Sequence, residues 1–394
     1  MINPAALEKP PISLSPMDQS QMCTKLVMDT TDPDIEFDEN GVCQYWYEYQ
    51  KAVQAMPQGK ERERLLADTV ADVRARGKGK KYDCILGLSG GVDSSYMAHL
   101  AKDLELRPLV VHFDNGWNNE LAVANIEQIV TKLGFDLHTF VMDWDEFRDL
   151  QRAYFKASVL DLEVPTDHMI FGALYEIARK HGIVSILSGN NVATEWLLPR
   201  KWYYSKFDLV NIQEIHRQFG EGKLKKLPAL GVWQQAYSQL FKGIRDIKLL
   251  DLVPYNKLEA KAFLMKEFEW RDYGGKHFES IFTRYYQGYI LPNKFNIDKR
   301  KAHLSNLICS GEMTREEALA ELENPPYDPK LQDQDKAYVA KKLGFSESEF
   351  EEILTQPNRD HSEFGNDRAQ RARYFKMMRL AKPVTRIVKK VLRR

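Results

Sequence analysis

Residues 82–97 read Tyr82-Asp83-Cys84-Ile85-Leu86-Gly87-Leu88-Ser89-Gly90-Gly91-Val92-Asp93-Ser94-Ser95-Tyr96-Met97. The apolar run from Cys84 to Leu88 predicts a strand that is buried on both faces, and helical spacing of apolar residues begins at Val92. A strand, a glycine turn and a helix in this order bring backbone N–H groups and the positive end of a helix dipole to one point. The stretch therefore predicts a phosphate-binding turn.

The side chains of this turn suit ATP with its magnesium ion. The two glycines let the backbone approach phosphate oxygens without a Cβ clash, the serines add hydroxyl donors, and Asp93 offers an oxygen ligand for Mg²⁺. No Gly-Lys-Ser/Thr follows, so this is not the P-loop of kinases and GTPases. The predicted nucleotide-binding residues of the turn are Ser89, Gly90, Gly91, Asp93, Ser94 and Ser95.

The turn resembles the pyrophosphate loop, SGGxDS, of the ATP pyrophosphatase superfamily. Members of that superfamily release pyrophosphate and transfer AMP, so the resemblance implies ATP and Mg²⁺ as cofactors. An ordinary strand-to-helix glycine turn is the structural alternative. The six-residue match behind a strand favours the nucleotide loop.

Length and composition restrict the classes of protein. The 394 residues suffice for two or three structural units, and 56 basic residues balance 56 acidic ones. The formal net charge of zero gives no global electrostatic basis for binding nucleic acid or a membrane. Four scattered cysteines do not form a disulfide framework, and we find neither a signal peptide nor an apolar run of membrane-spanning length. These features predict a cytoplasmic protein.

Strands and helices alternate after Tyr82, which predicts an α/β fold with a parallel sheet and right-handed crossovers. The further strands are predicted at 108–113, 136–142 and 183–187, with helices at 120–133 and 167–181. We expect three parts: residues 1–80 with a leader, a hairpin and helices, residues 81–255 with the nucleotide domain, and a helical region over 256–394. The superfamily resemblance implies an adenine nucleotide alpha hydrolase-like domain in the middle part.

Ligands of such sheets bind beyond the carboxyl ends of the strands, where this sequence places polar residues. The second strand ends in His112 and Asp114, which the superfamily resemblance places near the nucleotide; an Asx turn is compatible with that role. The fourth strand is followed by Ser188-Gly189-Asn190-Asn191-Val192-Ala193-Thr194-Glu195. We expect Gly189 to face the nucleotide, and the predicted ligands of an acetamido group or of ammonia protons are Asn190, Thr194 and Glu195.

The passage from Cys23 to Trp46 closely resembles the N-terminus of the N-acetyl sugar amidotransferases, enzymes of bacterial surface-polysaccharide biosynthesis. That family usually carries a Cys-x-x-Cys pair at each end of the passage, a spacing typical of a structural zinc knuckle. In this chain Leu26 and Trp46 stand at the second position of each pair. We therefore predict two buried thiols, Cys23 and Cys43, and no structural zinc.

A second resemblance to the same family lies in Trp270-Arg271-Asp272-Tyr273-Gly274-Gly275-Lys276-His277-Phe278-Glu279-Ser280-Ile281-Phe282-Thr283-Arg284. A helix that starts at Lys276 would place Lys276, Ser280 and Thr283 on one face, with His277 and Arg284 on the next. Two cations and an imidazole beside a glycine pair suit a pyrophosphate leaving group or an acidic nucleotide sugar. A solvated basic helix start is the alternative. The predicted catalytic residues are Asp93, Glu195, Lys276, His277 and Arg284.

The family resemblance covers the chain from Cys23 to about Leu354 and implies a reaction. ATP would adenylate the acetamido oxygen of a sugar, and ammonia would displace AMP to leave an acetamidino group. None of the four cysteines lies in a nucleophile context for glutamine hydrolysis. The resemblance therefore implies two partners, a glutaminase and a cyclase-like subunit similar to those of imidazole glycerol phosphate synthase.

Two other classes stay open at this point. A tRNA-modifying pyrophosphatase of the same superfamily would need a basic surface and usually a relay thiol, and the neutral charge argues against it. A non-catalytic scaffold would be expected to have lost loop residues, whereas Ser89 to Ser95 is intact.

The end of the chain is basic. Residues 368–394 contain many Lys and Arg side chains, and an apolar stripe at helical spacing follows Pro383. We expect this stripe to dock on the protein's own surface; contact with an anionic membrane surface or with a partner protein is the alternative.

Overall fold

A five-stranded parallel sheet lies at the centre of the computed structural model, which describes residues 21–274 and 278–378. The strands are β1 (Cys84–Gly87), β2 (Pro108–Asp114), β3 (Asp136–Val141), β4 (Ser185–Leu187) and β5 (Arg245–Ile247). Their spatial order is β3-β2-β1-β4-β5, and every neighbouring pair is parallel. The predicted α/β parallel sheet is confirmed. Strand β5 is not among the predicted strands.

The order of the strands determines where a ligand binds. From β1 the chain proceeds to β2 and β3 on one side of the sheet, and then crosses back to β4 and β5 on the other. In the centre Ile85 of β1 pairs with Leu109 of β2 and with Ile186 of β4. The connections after β1 and β4 therefore leave the sheet in opposite directions and open a crevice at their carboxyl ends.

The helices fall into three groups along the chain. Before the sheet come α1 (Gln44–Ala55) and α2 (Gly59–Arg76). Between and after the strands come α3 (Val92–Asp103), α4 (Glu120–Leu133), α5 (Trp144–Ala157), α6 (Val164–Lys180), α7 (Val192–Glu195), α8 (Leu209–Phe219) and α9 (Val232–Leu240). The C-terminal part contains α10 (Lys257–Phe268), α11 (Ile281–Tyr285), α12 (Leu291–Phe295), α13 (Lys299–Ser310), α14 (Arg315–Glu323), α15 (Pro329–Leu343) and α16 (Glu347–Thr355).

The N-terminal segment packs against the C-terminal helices. A turn forms at Asn40-Gly41, where Gly41 has φ +71°, and Phe37 bridges Cys43 in an antiparallel pair. The Arg315 guanidinium of α14 donates to the backbone oxygens of Cys23 and Leu26. The Val27 N–H donates to the Ser305 hydroxyl of α13, so the N-terminal segment contacts both α13 and α14.

The apolar core crosses the predicted domain boundaries. Its largest cluster of buried side chains includes Cys23 from the N-terminal segment, Ile85 from β1 and Phe350 from α16. The division at residues 80 and 255 stays a prediction. No helix within the described ranges has the length and apolar character that a membrane crossing requires.

Two sequence-based expectations about the C-terminal region need comment. Lys276, where a helix start was considered, lies outside the described residues; the residues Phe278 to Ser280 are not helical, and α11 begins at Ile281, with the Ser280 hydroxyl accepting from the Thr283 N–H. The apolar stripe after Pro383 lies outside the described residues, as do residues 1–20.

Candidate active site

A cavity of about 390 Å³ opens at the carboxyl ends of β1 and β4, where the order of the strands predicts it. The first wall, from the sheet loops, consists of Gly87, Ser89, Gly91, Val92, Asp93, Ser94, Gly189, Asn190 and Glu195. The second wall, from the C-terminal region, consists of Lys257, Leu258, Lys261, Trp270, Asp272, Tyr273, Gly274, Glu279, His303 and Leu307.

The turn after β1 presents the N-terminus of α3 to this cavity. Gly91 is the N-cap residue and no side chain caps the helix, so the first N–H groups of α3 remain available to an anion. The Ser89 and Ser94 hydroxyls lie 3.1 Å apart, and the Gly91 N–H donates to the Ser89 hydroxyl across 3.3 Å. Backbone donors and two hydroxyls thus surround a space suited to phosphate.

Gly90 shapes this turn from behind. It has φ +84°, and a Cβ at this position would lie 2.6 Å from the backbone oxygen of Ala122. Its own backbone oxygen accepts from the indole N–H of Trp270 at 2.8 Å. Gly90 does not line the cavity; its lack of a Cβ allows the turn to pack closely on α4.

Replacing Gly90 with alanine is expected to lower the free energy of unfolding by about 1–3 kcal/mol and to weaken ATP binding, because the turn must move away from Ala122. Gly79→Ala is the matched control: Gly79 has φ +76° but open space around its Cβ position. The control should show only the left-handed strain of about 1 kcal/mol. Urea denaturation and ATP titration measure both effects, and equal losses for the two variants would contradict the close packing.

Asp93, in the first turn of α3, is the centre of a hydrogen-bond network. Its carboxylate accepts from the Tyr255 hydroxyl at 2.5 Å, from Lys257 Nζ at 3.0 Å and from Asn191 Nδ2 at 3.4 Å. Burial, and then the charge of Asp93, raise the pKa of the Tyr255 hydroxyl, so that this phenol stays a donor. Asp93 thus links the β1 turn, the β4 loop and the start of α10.

The loop after β4 packs against the same helix end. A Cβ at Gly189 would lie 3.5 Å from the Ser94 backbone nitrogen, so the two loops are in contact there. Gly189, Asn190 and Glu195 line the cavity as the sequence predicts, although no observation tests their roles. Thr194 differs from its expectation because it is fully buried, and its backbone N–H donates to the Asn191 side chain that caps α7.

The wall from the C-terminal region supplies residues that the sequence analysis did not assign. Lys257 and Lys261 lie one turn apart on α10, and His303 and Leu307 lie one turn apart on α13. Both pairs have the i, i+4 spacing of one helix face. That spacing was visible in the sequence, but it does not indicate which element the face meets.

The charges around the cavity fit a magnesium nucleotide. Four carboxylates and two lysines line the cavity, namely Asp93, Glu195, Asp272, Glu279, Lys257 and Lys261. Lys257 is paired with Asp93, and Lys261 is paired with Asp272. Mg²⁺ normally binds one or two carboxylates together with substrate phosphates and keeps several waters. Asp93 would hold the ion, which would offset phosphate charge. The described residues contain no cluster of three or more His, Cys, Asp or Glu side chains that could hold a metal ion by themselves.

Two predicted nucleotide ligands lie outside the cavity wall. His112 is buried, its ring lies 3.2 Å from Asn118 Nδ2, and burial lowers the pKa of its imidazole. The Asp114 carboxylate accepts from the Gly116 N–H at 2.9 Å, which is the Asx turn considered above. Both side chains shape the end of β2, and neither is among the lining residues.

Two further residues that the sequence predicts at the site, Ser95 and Arg284, do not line the cavity. Ser95 is fully buried in α3, and its hydroxyl makes no hydrogen bond. Arg284 is buried, and its guanidinium makes a bidentate pair with Asp335 of α15 at 2.8 Å for both bonds. Arg284 is therefore not among the residues that line the cavity, and its catalytic role stays a prediction. Lys276 and His277 lie outside the described residues.

The cysteines are all outside the cavity wall. Cys23 and Cys43 are buried, as predicted, and the Cys43 N–H donates to Cys23 Sγ at 3.1 Å. A hydrogen bond from the Cys43 thiol, helped by backbone N–H groups, lowers the pKa of Cys23 to about 6. Burial raises the pKa of the Cys84 thiol, and it raises the pKa of Cys309 to about 12.

We expect purified protein to carry much less than one zinc ion per chain and to stay folded in the presence of chelators. The physical reason is the ligand count, since a tetrahedral zinc site needs four ligands and only two thiols are present here. Elemental analysis and thermal unfolding with and without chelator provide the measurement. One zinc per chain, lost together with the fold on chelation, would contradict the prediction.

Two family models match separate parts of the chain. The model described as "Asparagine synthase" matches residues 66–191, which include β1, β2, β3 and β4 with the turn at Ser89. The model described as "LPS biosynthesis protein WbpG-like, C-terminal domain" matches residues 279–380, which include α11 to α16.

The similar proteins cover different shares of the chain. An uncharacterized protein of Methanocaldococcus jannaschii is 24% identical over 260 residues, which is 63% of this chain and 75% of that protein. The tRNA-specific 2-thiouridylase MnmA of Desulfosudis oleivorans is 30% identical over 114 residues, 27% of this chain. This match spans only 31% of the thiouridylase, so it is a local likeness.

Solved structures resemble the chain weakly. The NMN synthetase of Francisella tularensis has a TM-score of 0.36 at 15% identity, over 76% of this chain and 98% of that one. The NH3-dependent NAD synthetase of Campylobacter jejuni has a TM-score of 0.29 at 13% identity, over 72% and 97%.

Proposed function

We propose that this chain, which joins an asparagine-synthase-type PP-loop domain to a WbpG-like C-terminal domain of LPS biosynthesis, is an ATP-dependent N-acetyl sugar amidotransferase. It would convert the acetamido group of a bacterial surface-polysaccharide sugar to an acetamidino group. The observation that carries the proposal is the cavity itself. The WbpG-like region contributes Glu279, His303 and Leu307 to this space. The PP-loop region contributes eight residues, Gly87, Ser89, Gly91, Val92, Asp93, Ser94, Gly189 and Asn190.

The reaction needs ATP because an acetamido carbonyl is a poor electrophile, owing to amide resonance. In the proposed first step the acetamido oxygen attacks the α-phosphorus of ATP, the bond to the β-phosphate breaks, and pyrophosphate leaves. In the second step ammonia adds to the carbon of the imidoyl adenylate, and AMP departs with the original oxygen. The products are the amidine, AMP and pyrophosphate.

The residues of the first wall would bind the leaving group. The uncapped N-terminus of α3 and the Ser89 and Ser94 hydroxyls face the cavity and suit phosphate oxygens. Lys257 approaches the same point from α10. The role of the protein is to hold the reacting groups and to offset developing negative charge, without covalent catalysis.

The space between the two walls would receive the sugar and the ammonia. Two carboxylates and one imidazole line it, namely Glu195 of the first wall and Glu279 and His303 of the second. Groups of this kind accept the proton that ammonia carries at neutral pH and bind sugar hydroxyls. Lys276 and His277 remain proposed contributors to the adenylation step, where they would bind the pyrophosphate leaving group or an acidic nucleotide sugar.

A separate protein is proposed to supply the ammonia. None of the four cysteines lines the cavity, so no thiol lies where it could attack glutamine beside the bound sugar. A glutaminase, with a cyclase-like subunit that channels ammonia, would fill this need. The same geometry offers no relay thiol at the cavity for tRNA thiolation.

The decisive experiment compares nitrogen sources with the purified chain, ATP, Mg²⁺ and a panel of N-acetyl sugars, free or nucleotide-linked. High ammonium at elevated pH is expected to yield AMP and a sugar product that is one dalton lighter, because O is replaced by NH. Glutamine is expected to support the reaction only when a glutaminase is added.

Three outcomes would contradict the proposal. Glutamine-dependent product from this chain alone would mean that the chain contains its own glutaminase site. AMP release with tRNA but with no sugar would move the chain to the tRNA-modifying class. Absence of AMP with every substrate and with ammonium would indicate a scaffold without catalysis.

A further inference from the structure

Strand β3 forms one edge of the sheet, and its outer edge is open among the described residues. It pairs along its full length with β2, from Asp136 to Val141. Edge strands in soluble proteins are usually protected by charged side chains, proline, a bulge or short length. The six residues Asp136–Val141 contain no lysine or proline and pair with β2 without a bulge, and their one carboxylate, Asp136, lies at the start of the strand.

The backbone of β3 alternates between the sheet and solvent. The Met142 N–H donates to the Asp114 backbone oxygen of β2, so even-numbered residues direct their N–H and C=O groups toward β2. Leu137, Thr139 and Val141 therefore direct theirs outward. Their side chains also share one face, where Leu137 is 41% and Val141 is 67% exposed.

We propose that β3 is the contact surface between two copies of this chain, which would pair their β3 strands antiparallel into one continuous sheet. The outward backbone groups permit an antiparallel register in which Thr139 of each copy faces Thr139 of the other on the two-fold axis. Leu137 of one copy then lies opposite Val141 of the other, on both sides of the axis. Apolar and Thr–Thr pairs of this kind are the stabilising cross-strand pairs of antiparallel sheets.

The charges at the two ends of the strand support a second copy as the occupant. At the start of β3, Lys81 pairs with Asp136 at 2.9 Å, and just beyond its end Lys226 pairs with Asp143. The side chains of Lys81 and Lys226 are largely exposed. An antiparallel arrangement brings the first ion pair of one copy next to the second ion pair of the other. Opposite charges can then meet at both rims, as a two-fold symmetric interface requires.

Sedimentation of the full chain at micromolar concentration tests this surface. The wild type is expected at twice the chain mass of 45.8 kDa. Thr139→Lys and Thr139→Glu should each raise the dissociation constant of the dimer about tenfold or more, because like charges would face each other across the axis. An equimolar mixture of the two variants should form a heterodimer. Thr139→Pro removes an N–H that points away from β2 and should also yield monomer.

Phe241→Lys is the matched control, since Phe241 is an exposed apolar residue that follows α9, far along the chain from β3. This variant should remain a dimer. The proposal is overturned if the wild type is a monomer or if Thr139→Lys leaves the dimer intact. It is also overturned if Phe241→Lys dissociates the dimer or if the two Thr139 charge variants fail to associate with each other. The test is independent of the proposed function, because Thr139 lies outside the cavity wall and AMP formation should be unchanged per folded chain.

Discussion

Replacing Asp93 with asparagine is expected to lower AMP formation about 10³-fold, with the protein still folded. The asparagine keeps the size of the side chain and an oxygen that accepts from Tyr255, but it removes the negative charge that faces Lys257. The same charge is the proposed ligand for the ion that accompanies ATP. Both the binding and the orientation of the pyrophosphate leaving group should therefore fail together.

The matched control for this variant is Asp103→Asn. Asp103 lies at the end of the same helix, α3, is largely exposed and pairs with His99. It is not among the lining residues, so its loss should leave the rate of AMP formation unchanged. Release of AMP is measured with ammonium as the nitrogen source, and circular dichroism reports the fold. Near-normal AMP formation by Asp93→Asn would remove the assignment of this turn to ATP.

The sequence predicts the first wall of the cavity well, because that wall is built from consecutive residues. Burial of β1, the turn at Gly90 and the start of α3 at Val92 all follow from local patterns, namely an apolar run, a glycine pair and helical spacing. In a parallel sheet the carboxyl ends of the strands meet at one edge, so Gly189 was also placed correctly.

The second wall depends on how distant parts of the chain pack, and local patterns do not contain that information. Lys257 and His303 each lie on an ordinary helix face, and their place in the cavity follows from the packing of α10 on α3 and of α13 on α7. Strand β5 was missed for a similar reason: its three residues, Arg-Asp-Ile, form a strand through pairing with β4 and lack a periodic apolar pattern.

Arg284 shows why the family-like stretch Trp270–Arg284, called the signature here, cannot be read directly as a set of ligands. Its positive charge was interpreted as a pyrophosphate contact, whereas the structure pairs it with Asp335, which lies 51 residues further along the chain. The guanidinium also lies 5.6 Å from the ring centre of Phe278 and 5.9 Å from that of Tyr327. Arg284 thus ties the end of the signature to α15.

This assignment makes a strong stability prediction. Arg284→Ala is expected to lower the free energy of unfolding by about 3–5 kcal/mol, because it leaves the Asp335 carboxylate buried without its partner. Asp335→Leu alone should be similarly costly, since it leaves the guanidinium buried. The double variant Arg284→Met with Asp335→Leu should recover most of the loss, because two apolar side chains then replace the pair. Urea denaturation of the wild type, Arg284→Met, Asp335→Leu and the double variant gives the coupling directly.

Arg217→Ala provides the comparison, since Arg217 makes the same bidentate contact with Glu214 on the exposed face of α8. Water solvates both groups there, so the unfolding midpoint should not change. If Arg284 instead contacted substrate, Arg284→Ala would leave stability intact and abolish AMP formation. In addition, the double variant would stay inactive. If the double variant recovers both stability and AMP formation, Arg284 holds the cavity wall in place and does not contact substrate. An apolar pair can then replace its contact with Asp335.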